Sequence, residues 1–92
     1  MLKRVECRVT GRVQMVMFRD FTVRKAKSLG LVGSVKNEND GSVFIVAEGD
    51  ESRVKNFITL LHKGSIFSRV DNVKVIWFDF IGELSNFKIL YN

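Results

Sequence analysis

Apolar positions recur along this chain in two rhythms. Between Arg4 and Thr10, Val5, Cys7 and Val9 alternate with Glu6, Arg8 and Thr10, the period of a strand with one buried face. From Phe18 the period lengthens: Phe18, Phe21, Val23, Ala26 and Leu29 trace an apolar stripe, and Arg19, Asp20, Arg24, Lys25 and Lys27 take the other side. Gly30 reads as the stop of that helix. Residues 31–38 and 42–48 are short runs rich in β-branched residues around Asn39-Asp40-Gly41, and Asp-Gly between two such runs predicts a hairpin. Asp50 then offers an N-cap, with Val54, Phe57, Ile58 and Leu61 at helical spacing up to Gly64. Residues 71–80 alternate again, Val73, Val75 and Trp77 against Lys74, Ile76 and Phe78. The tail from Asn86 to Tyr91 reads as a short strand that pairs at an edge or simply packs.

Strand, helix, strand, strand, helix, strand predicts an α+β, ferredoxin-like βαββαβ fold, with an antiparallel sheet and both helices on one face. The expected aromatic core is Phe18, Phe21, Phe57 and Trp77. With 92 residues and 46% hydrophobic content, the chain is expected to form one domain over residues 1–92.

Charge changes this picture little. The formal net charge is +5, but the basic residues are scattered from Lys3 to Lys88, which reads as a surface that attracts small anions rather than a nucleic-acid footprint. The single cysteine excludes an intrachain disulfide and any multi-cysteine metal site; Cys7, in an alternating strand, reads as a small buried residue. His62, the only histidine, reads as an exposed helix residue, so no metal and no cofactor is expected. Met1-Leu2-Lys3-Arg4 lacks the apolar core of a signal peptide, and no run approaches membrane length. The expectation is a cytoplasmic monomer with neither a nucleic-acid nor a membrane partner.

The stretch with chemical promise runs from Gly11 to Arg19, between the first strand and the first helix. Backbone N–H groups converge at such a junction and favour anions. Arg19 is placed to clamp a phosphoryl group.

Two segments resemble a known family. Val9-Thr10-Gly11-Arg12-Val13-Gln14-Met15-Val16-Met17-Phe18-Arg19 is similar to the acylphosphatase signature V-x-G-x-V-Q-G-V-x-F-R. Gly33-Ser34-Val35-Lys36-Asn37, followed by Gly41-Ser42-Val43 and Gly49, resembles the family's second signature, G-aromatic-V-x-N-x-x-x-G-x-V and a later glycine. The likeness implies the same ferredoxin-like fold and metal-independent hydrolysis of small-molecule acyl phosphates to a carboxylate and inorganic phosphate. It further implies a phosphate-binding loop of Gln14, Met15, Val16, Met17, Phe18 and Arg19, with Arg19 as the charge clamp and Asn37 orienting the attacking water. From residue pattern alone, Arg19 also reads as a solvated helix arginine, Asn37 as hairpin chemistry and Gln14 as a polar loop residue.

Two positions depart from the signatures. Met15 stands where the family has glycine, and Ser34 where it has an aromatic residue. A left-handed backbone at Met15 would strain the loop and lower activity. The alternatives are therefore a catalytically weakened domain that binds phosphate or protein and, further off, an RNA-binding module of the same fold, which would need stacking aromatics on the open sheet face.

Overall fold

A computed structural model describes residues 1–91. Seven elements follow in order: β1 (Leu2–Arg12), α1 (Phe18–Ser28), β2 (Val32–Asn37), β3 (Val43–Asp50), α2 (Glu51–Lys63), β4 (Arg69–Asp79) and β5 (Phe87–Ile89). They form one sheet in the order β4-β1-β3-β2-β5, with β1 and β3 at its heart. β1 pairs antiparallel with β3 (Val9 opposite Val43) and with β4 (Val9 opposite Val73), and β2 pairs antiparallel with β3 (Asn37 opposite Val43).

The sheet is mixed rather than wholly antiparallel, because β5 runs parallel to β2 with Phe87 opposite Gly33. A three-residue strand carries no period of its own. Its place is set by hydrogen bonds to β2, from Gly33 N to the Asn86 carbonyl (2.8 Å) and from Leu90 N to the Val35 carbonyl (2.9 Å).

Both helices cover one face of this sheet, and the alternating residues Val5, Cys7, Val9, Val43, Ile45 and Ala47 are wholly buried beneath them. Phe18 and Phe21 of α1 pack at 5.8 Å, and Phe57 of α2 meets Phe87 of β5 edge-on at 6.0 Å. Thr22, rather than Val23, is the fully buried position in the middle of α1. Its hydroxyl donates to the Phe18 carbonyl at 2.9 Å, which removes the cost of burying it. Trp77 is not a core residue: it remains 41% exposed, because β4 is an edge strand, and it lines an open cavity shared with Lys3, Glu51 and Lys55.

Local chemistry fixes the ends of the elements. Asp50 caps α2 by accepting the Ser52 N–H at 3.2 Å, and Gly30 ends α1 in the left-handed region at φ 68°. β1 carries an irregularity between Thr10 and Gly11, where pairing with β4 jumps from Asn72 to Val70. Gly11 sits there at φ 125°, and a Cβ would collide with the Arg69 carbonyl. The bulge turns the end of β1 toward α1.

The other face of the sheet is open except at the end where β4 finishes. There the segment from Phe80 to Asn86 passes from one edge strand toward the other and closes over Glu48. The Glu48 carboxylate is wholly buried, accepting from Arg4 Nη1 (3.1 Å), Ile81 N (3.1 Å) and Gly82 N (3.2 Å).

Candidate functional site

The register puts the β1–α1 loop and the β2–β3 turn at the same end of the sheet. In that loop the inward and outward residues are sharply divided. Val13 and Phe18 are buried and Val16 packs against the core, whereas Met15 is 97% and Met17 67% exposed. Met15 (φ 60°) and Met17 (φ 62°) are the non-glycine residues with positive φ among the described residues. Left-handed residues on either side of Val16 give an alternation of backbone hand, the kind of sequence from which anion nests are built.

Met17 is also the N-cap of α1, and it makes no side-chain capping hydrogen bond. The first N–H groups of α1 therefore have no side-chain acceptor at the N-cap, in the place where the helix dipole favours an anion. Arg19 lies in that first turn, half-buried, with its guanidinium 5.3 Å from the centre of the Tyr91 ring. The ring gives the planar cation a platform at the edge of the loop. Among the described residues Arg19 is in no ion pair with a carboxylate.

Gln14 links this loop to the β2–β3 turn. Its Nε2 donates to the carbonyls of Glu38 and Ser42, both at 2.8 Å. That turn is itself pinned. Glu38 N donates to the Ser42 carbonyl (2.9 Å), Asp40 Oδ1 accepts from Ser42 N (2.9 Å) and Ser42 Oγ (2.6 Å), and Arg8 Nη1 donates to Ser42 Oγ (2.9 Å). The hydrogen bonds from Ser42, helped by Arg8, hold the Asp40 carboxyl below its ordinary pKa of 3.8. Asn37, half-buried on the helix-bearing side of β2, is the residue before Glu38, whose carbonyl accepts from Gln14 of the loop.

Phe18 contributes its N–H to the helix start while its ring is core; Gln14's side chain serves the turn. Sequence reasoning did not find the Tyr91 platform, the left-handed Met17 or the Gln14 acceptors. The only trace of the first was a tyrosine near the end of the tail, and the other two left no periodic signal. Ser34 lies on the open face opposite Val46, away from this end of the molecule, so its departure from the signature does not touch the loop. Cys7 is wholly buried, and burial pushes its thiol up to about 12, as expected of an inert core residue. No set of three or more His, Cys, Asp and Glu suited to a metal ion occurs among the described residues, and no helix is long and apolar enough to cross a membrane.

The acylphosphatase family profile matches residues 5–89, which includes the β1–α1 loop, Arg19, Asn37 and the β2–β3 turn. The chain belongs to the acylphosphatase family. An acylphosphatase of Salinibacter ruber is 44% identical over 87 residues, covering 95% of this chain and 92% of the relative. An acylphosphatase of Thermotoga maritima is 51% identical over 74 residues, 80% of this chain and 82% of the relative. The crystal structure of acylphosphatase from Bacillus subtilis superimposes with a TM-score of 0.94 at 38% identity, covering 99% of this chain and 100% of that one. These likenesses make the chain a member of a hydrolase family with the ferredoxin-like fold, and they do not favour the binding-only alternative. On the open face, the Arg8 guanidinium lies over the ring of Phe44 of β3, 5.5 Å from its centre.

Proposed function

We propose that this chain hydrolyses small acyl phosphates, with Arg19 and Asn37 as its catalytic residues and the N–H groups of Gln14 to Arg19 as the phosphoryl cradle. The observation that carries the reading is the start of α1: two left-handed residues, an N-cap without a side-chain acceptor, and an arginine in the first turn. A cation has no reason to be drawn to that end of a helix. A tetrahedral dianion has.

In the proposed reaction a water oxygen attacks phosphorus in line with the acyl oxygen. The P–O bond to the acyl group breaks, and its electron pair leaves on the carboxylate. The water's proton passes to a phosphoryl oxygen or to the departing carboxylate. A carboxylate is a weak base and leaves without a strong acid, so the protein's work is positioning and charge stabilisation. The Arg19 fork and the loop N–H groups oppose the charge on the equatorial oxygens, and the Asn37 amide orients the water. All the groups come from one chain, and our proposal places the activity in a monomer, in the cytoplasm and without nucleic acid.

Phosphate release from benzoyl phosphate by the purified protein tests this directly. Asn37→Ala should lower turnover by ~10² or more, as when one positioned donor is removed. Turnover should be unchanged after EDTA treatment. Wild-type rates in Asn37→Ala would remove the residue from the mechanism, and loss of activity in EDTA would overturn the metal-independent scheme.

A further inference from the structure

Once a phosphoryl group lies against the loop N–H groups, the acyl part of the same molecule must project out of the cradle past its rim. The rim is built from apolar side chains. Met15 is 97% exposed and Met17 67% exposed, and the backbone of both is left-handed. Their alternation with buried Val13, core-packed Val16 and buried Phe18 sends these two thioethers outward while their N–H groups belong to the cradle. Tyr91, 77% exposed, joins them, with the Arg19 guanidinium over its ring. At the same end of the sheet, the α2–β4 connection shows Ile66 (89% exposed) and Phe67 (67% exposed), a few residues before Arg69 pairs with Arg12 at the loop's entrance.

Backbone geometry gives this rim its meaning. A left-handed position costs a non-glycine residue roughly 1–2 kcal/mol, and glycine would occupy it freely. At Met15, 97% exposed, the side chain gains almost no burial in return from the fold, and Met17 keeps two thirds of its surface open. Methionine is flexible and polarizable, and it adapts to apolar surfaces of varied shape and to aromatic rings.

We infer that Met15 and Met17, with the exposed face of Tyr91, form an acyl-recognition rim that selects acyl phosphates carrying extended apolar chains or rings over acetyl phosphate. This rests on the reading of the loop as a phosphoryl cradle. The contact is made to a non-reacting part of the substrate and is equal in ground and transition states, so it lowers KM and leaves kcat alone.

The test is a series of acetyl, butanoyl and hexanoyl phosphates, whose leaving carboxylates have nearly the same basicity. For the wild-type protein KM should fall roughly twofold per added methylene, the effect of half-burying each one, with kcat constant. In Met15→Asn, which keeps a residue tolerant of left-handed backbone, the fall should flatten, and in the Met15→Asn, Met17→Asn double variant it should vanish. Any change these variants make at the cradle is common to the whole series and cancels in the slope. A wild-type KM independent of chain length, or a slope unaltered in the double variant, overturns the rim while leaving the cradle standing. Failure of the wild-type protein to turn over any member overturns both.

Discussion

The two helices of this chain begin in opposite ways. At α2 the positive end of the helix is satisfied from within: Asp50 accepts from Ser52 N at 3.2 Å and from Ser52 Oγ at 2.5 Å, and Glu51 N donates to the Met1 carbonyl at 2.8 Å. At α1 a methionine stands at the N-cap, in left-handed backbone, without a side-chain acceptor, and an arginine occupies the first turn. A cation there opposes the helix dipole by about 0.3–1 kcal/mol, and each left-handed methionine adds roughly 1–2 kcal/mol. The start of α2 is arranged for stability. That of α1 sacrifices stability, and strain collected in this way marks a place arranged around something other than the fold itself.

Glu48 extends the contrast. An arginine and two backbone N–H groups hold its carboxylate inside the molecule, the same donor types that the proposed cradle offers outward.

The sharpest way to break this comparison is Arg19→Ala. The rate of acyl phosphate hydrolysis should fall by ~10²–10³, while the melting temperature holds or rises slightly because a cation has left the dipole's positive end. Near-normal rates would end the distinction between the two helix starts. Next in size is Glu48→Gln, which leaves Arg4 beside a neutral, buried partner, with Glu6 at 3.6 Å as its remaining counter-charge. It should cost about 3 kcal/mol, read as a drop of about 10–20 °C in melting temperature, with kcat per folded molecule preserved. A melting temperature within a degree or two of the wild type would show that the strap over Glu48 contributes little.

Relieving the strain at α1 gives a smaller effect of the opposite sign. Met15→Gly and Met17→Gly should each stabilise the protein by roughly 1 kcal/mol in chemical denaturation, and Met15→Gly should raise turnover with the shortest substrate. The mildest change is at α2. Asp50→Ala should lower the denaturation midpoint and leave kcat alone. Hydrogen bonds from Ser52 and the N-terminal ammonium lower the Asp50 pKa below 3.8, so its contribution is complete above that value and is lost as pH falls through the lower folded one. The wild-type advantage over Asp50→Ala should therefore shrink below about pH 4. An advantage that persists in acid would assign the effect to something other than the carboxylate.

Much of this architecture could be read from single residues. Val5, Cys7 and Val9 announced a half-buried strand because alternation is the direct imprint of a pleated backbone, and Asp50 announced a helix start because its acceptor lies two residues from its donor. The junction from Gly11 to Arg19 stood out as an anion site from its place between a strand and a helix, whereas Asn37 and the division of roles came from a family likeness, since an asparagine before a turn looks like hairpin chemistry. What stayed hidden depends on distant partners. Glu48 alternates like a solvated residue, and only a strap more than thirty positions later buries it. Gln14 finds its acceptors 24 and 28 residues away, and Trp77 is left half-exposed because its strand ends up at the edge of the sheet, which its own alternation does not show. Backbone angles are hidden as well: a left-handed Met17 looks in the sequence like any other methionine.

The buried thiol of Cys7 offers a last consequence. It lies in the strand paired on both sides, and burial holds it near pKa 12, so in the closed molecule it is neither reachable nor ionised. An alkylating reagent can reach it only when the centre of the sheet parts. One atom thus serves as a built-in clock for the slowest opening of the whole molecule.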